Sequence, residues 1–195
     1  MIPIPEELLE HFERGNVLLF IGERIARDVD RGLVVDGLAA EMANRCGLTE
    51  EGELGFPEVA QAYEDDKGRH ELVQFMRDQF EELGDEPEPI HHLIAGLTDC
   101  NVLVTTCQSC CLERAFEHSS RPLEVVIGNL DVVFEREHTA TLYKLCGSLD
   151  RPESVILTED DHEDFFRNRA NLSIVLQGYL ARKTILFIGY DLVNS

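Results

Sequence analysis

The chain has 195 residues, of which 17 are Lys or Arg and 38 are Asp or Glu, and its formal charge of −21 would repel a phosphate backbone. Direct nucleic-acid binding is therefore not expected, while 44% apolar and 28% charged residues suit a packed globular chain and not a disordered one. No apolar run reaches the roughly 18 residues of a membrane helix, and Met1-Ile2-Pro3-Ile4-Pro5 lacks the basic start and apolar stretch of a signal peptide, so a cytoplasmic protein without membrane contact is expected.

In chain order, Pro5 to Gly15 places Leu8, Leu9 and Phe12 at helical spacing, with Glu6 and Glu7 in the first turn where the helix dipole favours them. Asn16 to Gly22 is a continuous apolar run closed by glycine, the pattern of a strand buried on both faces of a parallel sheet. Helical periodicity then covers Leu38 to Cys46, Pro57 to Tyr63 and Leu72 to Leu83, the last with Leu72, Phe75, Met76, Phe80 and Leu83 on one face. Gly84 to Pro89 reads as an acidic turn, and Ile90 to Leu97 as a helix leading into a strand at Asn101 to Thr105.

Leu112 to Glu117 is predicted helical, Leu123 to Ile127 and Thr139 to Leu145 are predicted strands, and helices are predicted at Glu159 to Arg167, with Thr158 as N-cap, and at Asn171 to Ala181. Lys183 to Tyr190 repeats the opening theme of an apolar strand closed by glycine. Strands alternating with helices predict an α/β fold: a Rossmann-like parallel sheet flanked by helices, with a helical insertion after the first strand. One unit over 1–195 is expected, with core segments 1–35 and 98–195 around an insertion at 36–97. A strand so near the last residue suggests truncation at the C-terminal end.

Ligands of such sheets collect beyond the carboxyl ends of the strands. Here these ends are Gly22-Glu23-Arg24, Thr105-Thr106-Cys107 and Gly189-Tyr190. Taken in order, several segments resemble the landmarks of bacterial sirtuin-like domains. They are Phe20-Ile21-Gly22, His91-His92-Leu93-Ile94, Val104-Thr105-Thr106, Leu112-Glu113-Arg114-Ala115, Tyr143-Lys144-Leu145-Cys146-Gly147-Ser148, Leu157-Thr158-Glu159-Asp160-Asp161 and Leu186-Phe187-Ile188-Gly189-Tyr190. The resemblance implies a crevice for NAD or ADP-ribose lined by Gly22, Glu23, Arg24, Thr105, Thr106, Gly147, Gly189 and Tyr190. It also implies cleavage of the nicotinamide–ribose bond, and a role in bacterial defence or signalling alongside other protein domains or further copies of the chain.

The reacting positions depart from that family. Its Gly-Ala-Gly-x-Ser is replaced by Gly22-Glu23-Arg24-Ile25-Ala26, its Thr-Thr-Asn-x-Asp by Thr105-Thr106-Cys107-Gln108-Ser109, and the histidine of its Lys-Leu-His-Gly by Cys146. A thiol of ordinary pKa, about 8.5, replaces imidazole poorly as a base. The expectation is a catalytically impaired module that senses a nucleotide or binds a protein. The alternatives are an NAD hydrolase working with these non-standard residues, and a thiol or metal switch.

Cys107, Cys110, Cys111 and Cys146 could be core fillers, a redox pair or, through Cys107-x-x-Cys110, metal ligands. Core filling without a metal is expected. His91 and His92 are expected to pack or cap, His162 to pack near Phe165 and Phe166, and Glu159-Asp160-Asp161 to form a helical first turn.

Overall fold

Five apolar residues in succession at Val17–Ile21 form β1, whose Val17, Leu18, Leu19 and Ile21 are fully buried. A computed structural model describes residues 4–22, 25, 31–48, 54–83, 86–131 and 138–190, with the backbone alone at 31–36, 82–83 and 130. Four more strands join β1: β2 (Val102–Thr105), β3 (Leu123–Val126), β4 (Ala140–Lys144) and β5 (Thr184–Ile188). All pairings are parallel and the order is β3-β4-β2-β1-β5.

Because strand side chains alternate between faces, the central strands feed two cores. Val17, Leu19, Ile21, Leu103, Ala140 and Leu142 meet one apolar layer, supplied by α1 (Glu6–Glu13), α5 (Pro89–Ala95) and α6 (Cys111–Glu117). Leu18, Val102, Val104 and Tyr143 meet the other, supplied by α9 (Ala170–Leu180) through Leu172 and Tyr179. Each such leucine contributes about 1.5–3 kcal/mol by burial.

The helical segments α2 (Arg31–Cys46), α3 (Phe56–Lys67) and α4 (Arg69–Leu83) share a third core. Leu38, Met42, Tyr63, Leu72, Phe75 and Met76 pack there against Leu149, Val155 and Leu157 from the chain after β4. The predicted face of α4 is thus buried; the side chain of Leu83 lies outside the described residues. So do Gly84 and Asp85 of the predicted turn, and Glu23 and Arg24 of the predicted crevice.

One predicted helix differs. Glu159 to Arg167 is two pieces, α7 (Glu159–Glu163) and α8 (Phe165–Asn168), separated at Asp164, whose carboxylate pairs with Arg167. Aspartate is a weak helix former that competes for local hydrogen bonds, which favours such a break. Arg169 breaks the chain again before α9, with φ −127° and ψ 39°, as its side chain turns inward to main-chain carbonyls. Thr158 caps α7 as predicted: its hydroxyl accepts from the Asp161 N–H in a reciprocal capping box.

The chain runs from β1 to β2, out to β3, back to β4, and then crosses to β5 on the far side of β1. The direction of winding therefore reverses between β1 and β5. In open parallel sheets this is where a ligand crevice forms, outside the carboxyl ends of the strands.

Candidate functional site

Gly22 and Gly189 follow those two strand ends, and they touch. The Gly22 N–H donates to the Ile188 carbonyl at 2.9 Å, and a Cβ on Gly22 would stand 2.2 Å from the Gly189 carbonyl oxygen. No L side chain fits there. Gly189 has φ +65°, a left-handed conformation that glycine adopts freely. Tyr190 turns its ring onto Phe20 and Phe187, with centroids 5.4 and 6.0 Å away.

Thr105, at the end of β2, ties this floor together. Its hydroxyl donates to the Ile21 carbonyl at 2.8 Å and accepts the Cys107 N–H at 3.0 Å. The loop after β2 is thereby clamped to the end of β1. Thr106 and Cys107 are half-buried beside it. Cys107 Sγ lies 3.1 Å from Ser109 Oγ, which in turn donates to Cys111 Sγ at 3.6 Å.

The end of β4 is held from beneath by Lys144, which is fully buried. Its ammonium donates to the Ser109 carbonyl at 2.8 Å, Ser148 Oγ at 3.2 Å and Glu113 Oε1 at 2.6 Å. A lysine can be buried without losing its charge only when it is paired and hydrogen-bonded in this manner. The half-buried Cys146 follows two residues on, then Gly147 at φ +81°, where a Cβ would stand 2.1 Å from the Ser154 carbonyl oxygen. Gly22 and Gly147 are thus required by backbone packing within the protein itself.

Cys107 and Cys110 face different partners. The Cys110 thiol donates to Asp150 Oδ2 at 3.0 Å and lies 3.6 Å from Ser148 Oγ. Burial, reinforced by the nearby Glu113 carboxylate, pushes it up to about 12, so it stays a protonated thiol at neutral pH. A metal ligand or an attacking thiol must be a thiolate, so this environment disfavours both roles for Cys110. All six cysteines are free thiols, and no group of three or more His, Cys, Asp or Glu able to hold a metal occurs among the described residues.

His91 is buried and caps α5, its Nδ1 accepting the Glu88 N–H at 2.9 Å, while His92 stacks on His118. His162 differs from expectation: the ring is exposed and its Nδ1 lies 2.8 Å from the Thr158 carbonyl, one turn back on its own helix. Asp161 is a first-turn residue as predicted, and does more. Its Oδ2 accepts the Leu157 N–H at 2.8 Å, the Thr158 N–H at 3.2 Å and the Arg69 guanidinium at 2.8 Å, joining α7 to the start of α4.

Two cavities border the loops after the strands. One of about 440 Å³ lies between α4 and the loop after β2, with Arg77, Ser109, Cys110 and Asp150 in its wall. The other, about 400 Å³, lies beyond β3 and β4 and is walled in part by Arg69, Asn129, Arg151 and Arg169. None of these arginines stands out in the sequence, because helical periodicity accounts for Arg69 and Arg169 equally well as surface residues.

The parallel sheet, its reversal between β1 and β5, and the three clamped strand-end loops define a doubly wound, Rossmann-like α/β protein. Residues 101–194 match the family model of the SIR2-like domain. The chain is also similar to proteins named NAD(+) hydrolase ThsA. It is 28% identical to that of Cytobacillus dafuensis over 188 residues, which cover 95% of this chain and 37% of the relative. It is 27% identical to that of Enterococcus faecium over 191 residues, covering 95% of this chain and 39% of the relative. For that of Bacillus cereus strain MSX-D12 the identity is 25% over 202 residues, covering 100% of this chain and 42% of the relative. The chain spans about two fifths of the length of these curated relatives. Among the described residues no helix is long and apolar enough to cross a membrane.

Proposed function

We propose that this chain is the nucleotide-binding module of an NAD hydrolase, cleaving the nicotinamide–ribose bond at the crevice between the ends of β1, β2, β4 and β5. The carrying observation is its similarity, over 95% or more of its length, to proteins named for that reaction. This reading reverses the weight that the substituted motif residues alone suggest, and chemistry helps explain why. Nicotinamide leaves a pyridinium as a neutral molecule: the C1′–N1 bond pair goes to nitrogen, water oxygen bonds to C1′, and one proton is lost from that water. No acid is needed to protonate the leaving group. Much of the rate can therefore come from orienting the ribose and excluding bulk water.

Cys146 then occupies the position from which a base would act on the ribose, and Cys107, tied to Ser109, the position that would orient the water. NAD is the expected substrate. The surrounding regions of a longer protein, or further copies of the chain, are its expected partners in bacterial defence.

The replacements at Cys107, Ser109 and Cys146 favour a second reading, a module that binds the nucleotide without turning it over. Incubation with NAD, following nicotinamide by chromatography, separates the two. Release that is abolished by Cys146→Ala supports hydrolysis. Calorimetric binding of ADP-ribose without nicotinamide release supports the second reading. Neither binding nor release would remove both.

A further inference from the structure

The 400 Å³ cavity beyond β3 and β4 is walled in part by three guanidinium groups, of Arg69, Arg151 and Arg169. Arg169 is only 7% exposed, yet its guanidinium meets no carboxylate within ion-pair distance among the described residues. It donates instead to main-chain carbonyls, at 2.7 Å to Leu145, 3.3 Å to Lys144, and also to Ser154. Its planar face lies near the Phe165 ring, 5.8 Å from the centroid.

The other charges in the wall are largely spent on one another. Arg69 is paired with Glu64 and Asp161, and Asp161 is saturated further by the N–H groups of Leu157 and Thr158. Arg151 pairs with Asp131 at 2.8 Å, and the same carboxylate oxygen accepts the N–H groups of Ile127 and Gly128. Glu153, the remaining carboxylate of the wall, is exposed to solvent. Counted with Glu64, the carboxylates are at least as many as the guanidinium groups, but among the described residues of the wall Arg169 alone of the three arginines lacks a direct carboxylate partner, and it immediately precedes α9. The positive end of that 11-residue helix reinforces its charge.

A buried guanidinium bonded only to neutral oxygens remains short of a counter-charge, and arginine is suited to bidentate recognition of phosphate. We propose that this cavity is a phosphoryl-binding subsite anchored by Arg169, taking a phosphate group either free or carried on a nucleotide. Burial lowers the guanidinium from its ordinary value, with Cys146 and Asp161 acting in the opposite direction, which agrees with a charge lacking a close anion. The subsite adjoins the end of β4, since Arg169 grips the carbonyls just ahead of Cys146. It does not depend on hydrolysis, because binding alone tests it.

The test is calorimetry of the 195-residue chain with inorganic phosphate, inorganic pyrophosphate, ADP-ribose and, as an uncharged control, ribose. Uptake of at least one phosphate probe but not of ribose is expected, with Arg169→Gln weakening it about tenfold or more. Glu153→Gln, which removes only an exposed rim charge, should tighten it about twofold to threefold. Weakening of ADP-ribose together with inorganic phosphate assigns the site to a nucleotide phosphate; weakening of inorganic phosphate alone assigns it to a free ion. The proposal is overturned if no phosphate probe binds the unaltered chain, or if Arg169→Gln binds as well as that chain. Should Arg169→Gln fail to fold, Glu153→Gln decides, and an unchanged affinity there overturns the proposal.

Discussion

Replacing Lys144 with methionine keeps most of the side-chain volume and removes the ammonium. Glu113 then loses its 2.6 Å partner at Oε1, while its Oε2 already has no hydrogen-bond partner among the described residues, and the Ser109 carbonyl loses a 2.8 Å donor. Breaking a buried pair from one side costs about 3–5 kcal/mol, because the surviving charge is left uncompensated. The Glu113 side chain is 18% exposed, so water can reach part of it, and the lower end, about 3 kcal/mol, is expected. For a chain of this size that is a fall in Tm of about 6–12 °C. Urea unfolding followed by circular dichroism measures it. The double change Lys144→Met with Glu113→Leu should recover most of the loss, since an apolar replacement of a buried pair is often neutral or stabilising. A loss below about 1 kcal/mol in the single variant, or no recovery in the double, would refute the view that this ion pair holds the β2 and β4 loops together.

Gly22→Ala should cost about 3 kcal/mol or more, read as a lower urea midpoint, because the new methyl meets rigid backbone 2.2 Å away and β1 must part from β5. Burial would raise the Asp161 carboxyl, but the Leu157 N–H, the Arg69 guanidinium and the Thr158 N–H outweigh it and hold the group below its usual range. The stability it contributes is therefore complete above about pH 4 and is lost as pH falls through the lowered native value. Unfolding series from pH 6 to pH 2.5 should show an acid loss in the unaltered chain that Asp161→Asn lacks. Cys110, raised to about 12, should be alkylated by iodoacetamide at pH 8 more slowly than the half-buried Cys107 and Cys146, as counted by peptide mass spectrometry.

The order of the elements was legible because the code for it is local. The runs ending at Gly22 and Gly189 are apolar at successive positions, the pattern of a strand covered on two faces; β1 is buried so, whereas β5, at the edge of the sheet, is only half-buried with Phe187 exposed. Thr158 and Asp161 stand three apart at a helix start, so the cap could be read as well. The break at Asp164 could not, because six polar residues followed by Phe165, Phe166 and Arg167 fit one helix as readily as two short ones.

Around the candidate site the strand ends were legible and their side-chain pairings were not. The sequence gives no sign that Lys144 turns under the β2 loop or that Cys110 meets Asp150 from 40 positions away. Such pairings are made by the tertiary fold, and so is the burial that sets their protonation. Arg169 illustrates the gap most clearly. Its neighbours in sequence, Asn168 and Ala170, are exposed, while the partners of its guanidinium lie 15, 24 and 25 residues earlier.

The contact between Gly22 and Gly189 has a mechanical consequence. Two loops that belong to the opening and closing strands share a single point of support, with no side chain between them to cushion a shift. A displacement of either loop must be taken up by the other, so the opposite walls of the crevice are geared together. A molecule that presses on the segment after β5 would reset the segment after β1 without touching it.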